Sequence, residues 1–148
     1  MEGVEMNGVR SNLDRSPRSL AEEHVLRGLE QLPAGYDVLN GSRLQIPEVP
    51  EGEAAMSYEP DFEVRRPDGL SIVIEVKTGR SLSMVNLSRF IKFDELINAA
   101  GKRFLVLVWG DDDFPQRLSA MPEFKGLHIK TVRSSSDVLQ AVQTEFPK

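Results

Sequence analysis

The chain has 148 residues, a formal charge of −5 at neutral pH and no cysteine, which excludes disulfides, iron–sulfur clusters and zinc–thiolate sites. Its longest unbroken apolar run, Phe104 to Trp109, is far shorter than the roughly twenty residues of a membrane span. We therefore expect a soluble, cytoplasmic protein with no membrane partner. Any metal ion would be bound mainly through oxygen atoms.

The first part of the chain is predicted to be a flexible tail followed by a helix. Residues 1–18 show no hydrophobic period, so a single domain is expected over residues 19–148. Ser19 and Glu22 have the spacing of a capping box, and the apolar residues after them recur at helical intervals up to Leu32. The domain therefore begins with a helix.

The remaining patterns predict alternating strands and helices around one sheet. Two short strands or one broken strand come first, over Tyr36–Leu39 and Arg43–Ile46, followed by a surface loop over Pro47–Ser57. A β-hairpin follows over Pro60–Val64 and Leu70–Lys77, then a helix over Met84–Ala100 capped by Gly101, and then a buried strand over Phe104–Trp109. After these come a loop or short helix over Asp111–Met121, a strand over Leu127–Val132 and a last helix over Ser136–Phe146. This order predicts an α/β fold, a central mixed sheet flanked by helices with the hairpin at its centre.

Two charged residues lie inside the second strand of the hairpin. Glu75 and Lys77 are two positions apart, so both point to one side of a strand that is otherwise apolar. Burying charge is costly unless the charge is paired or binds a metal ion. The strand therefore carries either a functional pair or an ordinary ion pair on the exposed face of an edge strand.

A third charged residue, Asp61, lies at the start of the partner strand. Pairing Val64 with Ser71 across the turn places Asp61 opposite Ile74, one residue from Glu75. Two carboxylates held that close repel each other unless a cation lies between them. Mg²⁺ takes oxygen ligands and is commonly held by one or two carboxylates, so the hairpin predicts a magnesium site.

These residues also form a motif. Pro60-Asp61, followed by Glu75-Val76-Lys77 at the end of a Val/Ile strand, resembles the signature of the PD-(D/E)xK phosphodiesterase superfamily, which includes restriction endonucleases, Holliday junction resolvases and transposon end-cleaving nucleases. The resemblance implies a restriction-endonuclease-like core. It implies that Asp61, Glu75 and the Val76 carbonyl bind Mg²⁺, which Mn²⁺ can replace, and that Lys77 assists hydrolysis.

Many members of that superfamily also carry a glutamate in their first helix. On a helical projection Glu22 falls inside the apolar arc, whereas Glu23 and Glu30 fall outside it. By resemblance Glu22 is a further metal ligand and catalytic residue. The alternative is that Glu22 only completes the capping box with Ser19.

The expected function is Mg²⁺-dependent endonucleolytic hydrolysis of DNA. Arg80, Arg89 and Lys92 are the expected phosphate contacts, and Asp68, in a second Pro-Asp dipeptide, is expected to be a turn residue. Because cutting both strands usually calls for two active sites, we expect a homodimer, and for a chain of this size we expect a partner protein for targeting. The alternative is a non-catalytic binding or assembly module with the same fold, acting within a larger nucleic-acid complex.

Overall fold

A six-stranded mixed sheet forms the centre of the part of the chain that the structure describes. The computed structural model describes residues 10–13, 17, 19–40, 60–78, 84–110, 121–124 and 126–147. The strands are β1 (Arg10–Asn12), β2 (Asp37–Leu39), β3 (Phe62–Arg65), β4 (Ser71–Thr78), β5 (Arg103–Trp109) and β6 (Ile129–Val132). The predicted strand 43–46, the loop 47–57, Arg80 and residues 111–120 lie outside the described residues.

The strands follow one another across the sheet in chain order. β1 and β2 are parallel, β3 is antiparallel to both of its neighbours, and β4, β5 and β6 are parallel to one another. The predicted α/β fold with a mixed sheet is thus confirmed. β4 lies between β3 and β5, so the strand that carries Glu75 and Lys77 is interior to the sheet.

Helices cover both faces of this sheet. They are α1 (Leu20–Leu29), α2 (Met84–Ala99) and α3 (Ser135–Glu145), with a short 3-10 helix at Pro122–Phe124. α1 and α3 share a core with Ile72, Ile74 and Val76, whereas α2 packs on Val73 and the opposite face of β5. Alternation along β4 therefore decides which layer each of its side chains enters.

Local sequence signals explain where these helices begin and end. The hydroxyls of Ser19 and Ser134 cap α1 and α3 by accepting the N–H groups of Glu22 and Asp137. Gly101 has a φ of +81° after α2, and the Lys102 N–H closes back on the Ile97 carbonyl, as in a glycine-terminated helix. The three predicted helices are therefore confirmed, with ends shifted by a few residues.

The turn of the hairpin has the predicted chemistry. The Arg66 N–H donates to the Leu70 carbonyl, and Gly69 has a φ of +93°, which favours glycine. Asp68 accepts hydrogen bonds from the Arg66 guanidinium and the Leu70 N–H, and these bonds hold the pKa of its carboxyl below the usual value. Asp68 is therefore a turn residue, as predicted.

The structure differs from the sequence prediction at its N-terminal edge. Residues 10–12, which we predicted within the flexible tail 1–18, form β1 and pair with β2 in parallel register. The sequence Arg10-Ser11-Asn12 has no alternating hydrophobic pattern that would predict a strand. The strand can form without one because edge-strand pairing is made by backbone hydrogen bonds. No helix among the described residues is long and apolar enough to cross a bilayer.

Candidate active site

The hairpin brings Asp61 and Glu75 together. The last register pair of β3 and β4 is Phe62 with Ile74, so one step further along the ladder Asp61 lies opposite Glu75. The predicted register was wrong by one residue, because Arg65 rather than Val64 pairs with Ser71. Asp61 and Glu75 are 7% and 8% exposed, so two carboxylates lie buried at the end of the hairpin.

The backbone of β4 fixes the position of the Asp61 side chain. Asp61 Oδ2 accepts the Val76 N–H at 2.7 Å. The same register places Pro60 opposite Val76, and proline has no N–H with which to continue the ladder. Pro60 therefore has no donor for the Val76 carbonyl, and the carboxylate of Asp61 takes the place of a backbone carbonyl as the acceptor of the Val76 N–H.

Lys77 completes this group on the same face of β4. Its Nζ atom lies 3.4 Å from Glu75 Oε2, and its side chain is 26% exposed while that of Glu75 is 10% exposed. An ion pair on the exposed face of an edge strand was the alternative interpretation. The ion pair is present, but β4 is an interior strand and the carboxylate is buried, where an unpaired charge would be costly.

Glu22 lies in a different layer from these residues but at the same end of the sheet. It is buried in the first turn of α1, whose core lies on the Ile74 and Val76 side of β4. His24, one position beyond Glu23, stacks on Trp109, and Trp109 pairs with Thr78 at the end of β4. The prediction of an inward-facing Glu22 is confirmed, and the Glu22 N–H also bonds to the capping Ser19 hydroxyl.

The carboxylates of Asp61 and Glu75 limit which metal ion could bind at this end of the sheet. In the described ranges, no three His, Cys, Asp or Glu side chains are grouped closely enough to hold a metal ion. Asp61 and Glu75 supply carboxylate oxygens from facing positions. That set suits Mg²⁺, which keeps several waters and adds substrate phosphate, and it does not suit a tetrahedral zinc site.

Two of the predicted phosphate contacts, Arg89 and Lys92, lie on α2. Arg89 is exposed on α2 and its guanidinium carbon lies 5.6 Å from the centre of the Phe93 ring, a cation–π contact. Lys92, one turn further on, is half-buried. α2 covers the face of the sheet toward which Glu75 and Lys77 point, so Arg89 and Lys92 lie in the helical layer on that face.

The sequence analysis did not identify Glu63, a buried acid beside the site. Glu63 is fully buried on β3 and lies on the same face as Asp61, two positions away. Its Oε2 atom lies 3.0 Å from Lys102 Nζ and 3.7 Å from an Arg65 nitrogen, while Oε1 has no hydrogen-bond partner within the described part of the chain. The two-residue spacing from Asp61 was the signal that could have identified it.

A second polar cluster lies at the other end of the strands. An open cleft of about 430 Å³ is lined by Asp94, Arg103, His128 and Glu145, among others. His128 Nδ1 lies 2.5 Å from the buried carboxylate of Glu145, and Arg103 lies 3.5 Å from the same oxygen. Burial raises the pKa of Asp94 above its usual value. These residues come from α2, from β5, from the position just before β6 and from α3, so no local sequence motif predicts the cluster.

Comparison with known proteins adds no relative. No protein-family model, curated protein or solved structure matches this chain.

Proposed function

We propose that this chain is a metal-dependent endonuclease of the PD-(D/E)xK superfamily, with a restriction-endonuclease-like core, that hydrolyses phosphodiester bonds in DNA. The observation that carries the proposal is the pairing of buried Asp61 and Glu75 across the hairpin, with Lys77 beside them. Glu22 is proposed as a further ligand from α1, and Arg80, Arg89 and Lys92 as phosphate contacts.

Charge explains why such a site needs a cation. Asp61, Glu75 and Lys77 together carry a net charge of minus one, which repels a phosphodiester anion. Mg²⁺ or Mn²⁺ held by the two carboxylates and the Val76 carbonyl would reverse that sign, neutralise charge on the phosphate and activate a water molecule. Asp61 is oriented for this role by the Val76 N–H.

Lys77 supplies the chain's own positive charge to the reaction. Its ammonium group is held at 3.4 Å from Glu75 and stays partly exposed, so it can donate a hydrogen bond to a phosphate oxygen or to the attacking water. Fixed donors that face developing negative charge stabilise a transition state more than they stabilise the substrate. The proposed partners are DNA, a second copy of the chain and a targeting protein.

The decisive test is metal-dependent cleavage by matched variants. The whole chain is incubated with labelled duplex, single-stranded and branched DNA, in Mg²⁺, in Mn²⁺ and in a chelator. Asp61→Asn removes the charge but keeps an oxygen that can accept the Val76 N–H, and Lys77→Met keeps the length of the side chain. We expect each variant to lose about 100-fold or more of the cleavage rate.

Asp68→Asn is the control, because it makes the same change in the exposed turn of the same hairpin. It should cut like the wild-type chain. Alanine at position 61 is a poorer choice, since it would leave the buried Val76 N–H without an acceptor and cost about 1–3 kcal/mol of stability. A wild-type chain that cuts none of these DNAs with either ion would contradict the proposal.

The second candidate is a non-catalytic module that binds nucleic acid within a larger complex. The Glu75–Lys77 ion pair favours it, because two opposite charges at 3.4 Å can satisfy each other without a metal ion. This candidate predicts no metal-dependent cleavage and no stabilisation by Mg²⁺.

A further inference from the structure

The backbone groups of β4 point alternately toward its two neighbouring strands. In an antiparallel pair, every second residue exchanges both its N–H and its C=O with the opposite residue. At the hairpin turn the Arg66 N–H donates to the Leu70 carbonyl, so the backbone of Leu70 points toward β3. Counted in steps of two along β4, the backbone of Val76 points the same way, and its N–H does donate to Asp61 on that side.

Pro60 occupies the position of the next ladder donor. Phe62 pairs with Ile74, so two further residues in the same register place Pro60 opposite Val76. In a hydrogen-bonded pair each residue donates its N–H to the carbonyl of the other, but proline has no N–H. The hairpin therefore supplies no ladder donor to the Val76 carbonyl, which lies on the side of β4 where Asp61 accepts the Val76 N–H.

The end of a strand is the ordinary reason for a proline at such a position. Here Pro60 is buried, and β4 continues past Val76 to Thr78. Val76 itself is only 7% exposed, and buried backbone carbonyls are almost always paired. The Val76 N–H has an acceptor in Asp61, so it is the carbonyl that needs a partner from outside the β3 ladder.

Resting on the proposed metal site, we propose that Pro60 is a positioning residue, which by lacking an N–H keeps the Val76 carbonyl oxygen available to the ion that Asp61 and Glu75 would hold. Carboxylate and carbonyl oxygens are the donors that suit Mg²⁺ and Mn²⁺. A carbonyl bonded to a ladder N–H would have to give up that bond before it could bind a metal ion. Pro60 thus favours metal binding as well as ending the ladder.

The test restores the missing N–H. Pro60→Ala leaves Asp61, Glu75 and the Val76 carbonyl in the chain and adds a donor opposite that carbonyl. In a chelator we expect the new amide to exchange its hydrogen slowly, measured by ¹H–¹⁵N NMR, because it is bonded within the ladder. The affinity for Mn²⁺, measured from the paramagnetic resonance signal of the free ion, should fall about tenfold, as when a residue that orients a metal ligand is replaced.

Pro67→Ala is the matched control, because Pro67 is exposed in the turn of the same hairpin. Each variant loses the restriction that proline places on the unfolded chain, but only Pro60→Ala gains an N–H opposite Val76. Pro67→Ala should bind Mn²⁺ like the wild type. A Pro60→Ala chain with wild-type Mn²⁺ affinity, or with a freely exchanging amide at position 60, overturns the inference and leaves Pro60 as a strand end only.

The outcome is separable from that of the proposed function. Unchanged Mn²⁺ affinity in Pro60→Ala, with a wild-type chain that binds the ion and cuts DNA, removes the role of Pro60 alone. Weaker Mn²⁺ binding by Pro60→Ala, with a wild-type chain that never cuts, removes the nuclease proposal and keeps Pro60 as a positioning residue of a metal site. A wild-type chain that binds no Mn²⁺ removes both.

Discussion

Glu63 shows how a single buried charge depends on one partner. Its carboxylate is fully buried in β3, and Lys102 Nζ lies 3.0 Å away. Removing one member of a buried ion pair leaves an uncompensated charge, at a cost of about 3–5 kcal/mol. Because Arg65 lies 3.7 Å away and remains, we expect Lys102→Met to lower the free energy of unfolding by about 3 kcal/mol, measured by urea denaturation.

The matched control adds Glu63→Gln to Lys102→Met. The amide removes the orphaned charge, so the double variant should recover part of the lost stability. A Lys102→Met chain that unfolds at the urea concentration of the wild type would show that Glu63 does not need this partner.

Asp94 makes the free energy of unfolding depend on pH with a sign opposite to that of a salt-bridged carboxylate. Burial is the main reason that its pKa is raised, with a smaller contribution from the charge of Glu145, while a hydrogen bond with Asn98 and the charge of His128 oppose the rise. The folded chain therefore favours the protonated form. The stability contributed by Asp94 is fully present below its ordinary pKa of 3.8 and is lost as pH rises through the raised value.

We therefore expect Asp94→Asn to be more stable than the wild type at neutral pH. The difference should shrink as the pH falls toward about 3, where Asp94 is protonated in both the folded and the unfolded states. Urea denaturation at several pH values measures it. A difference that grows on acidification would mean that the Asp94 carboxylate is stabilised in the folded chain.

At the residue scale, the sequence could predict which side chains lie together where they belong to one hairpin. Asp61, Glu75 and Lys77 could be predicted together because strand alternation and a tight turn determine their faces. The pair of His128 and Glu145 and the stack of His24 on Trp109 join separate elements. Only tertiary packing brings them together, so no spacing in the sequence predicts them.

Among the described glycines, Gly28 has the closest neighbours, at the contact of α1 with α3. A methyl group placed at Gly28 would lie 2.6 Å from Val138 Cβ and 2.9 Å from the Ser135 carbonyl oxygen. Alanine is favoured over glycine within a helix by up to about 1 kcal/mol, but overpacking costs about 1–3 kcal/mol. We expect Gly28→Ala to lower the melting temperature, measured by thermal unfolding.

Gly126→Ala is the control, since a methyl group there meets no atom within 4 Å. Adding Val138→Ala to Gly28→Ala should not restore the loss, because Val138 Cβ and the Ser135 carbonyl oxygen both stay in place. If Gly28→Ala melted at or above the wild-type temperature, the close approach of the two helices would be wrong.

Element types were predictable, and their edges and registers were less so. Helical periods, serine caps and Gly101 identified α1, α2 and α3 because each signal is local. The hairpin register missed by one residue because the exact pair that closes the turn depends on the Arg66–Leu70 hydrogen bond. β1 was not predicted, since the strand has only three residues and its partner lies beyond α1.

For the whole molecule, binding of a metal ion should raise the free energy of unfolding. A ligand that binds only the folded chain stabilises it by about 2.7 kcal/mol at 100 times its Kd. We expect Mg²⁺ and Mn²⁺ to raise the melting temperature of the wild-type chain and of Asp68→Asn, and to leave Asp61→Asn unchanged. No response in the wild type would favour the non-catalytic module.

The two margins of the sheet bear on how copies of the chain can associate. Among the described residues the sheet ends at β1, which has three residues, and at β6, which has four, and an unpaired strand edge is a template for pairing with another chain. Strands this short offer few backbone groups for such pairing, and β6 carries Lys130 and is followed by Arg133, so two copies laid edge to edge would bring like charges together. Growth of a continuous sheet from copy to copy through these two edges is therefore disfavoured.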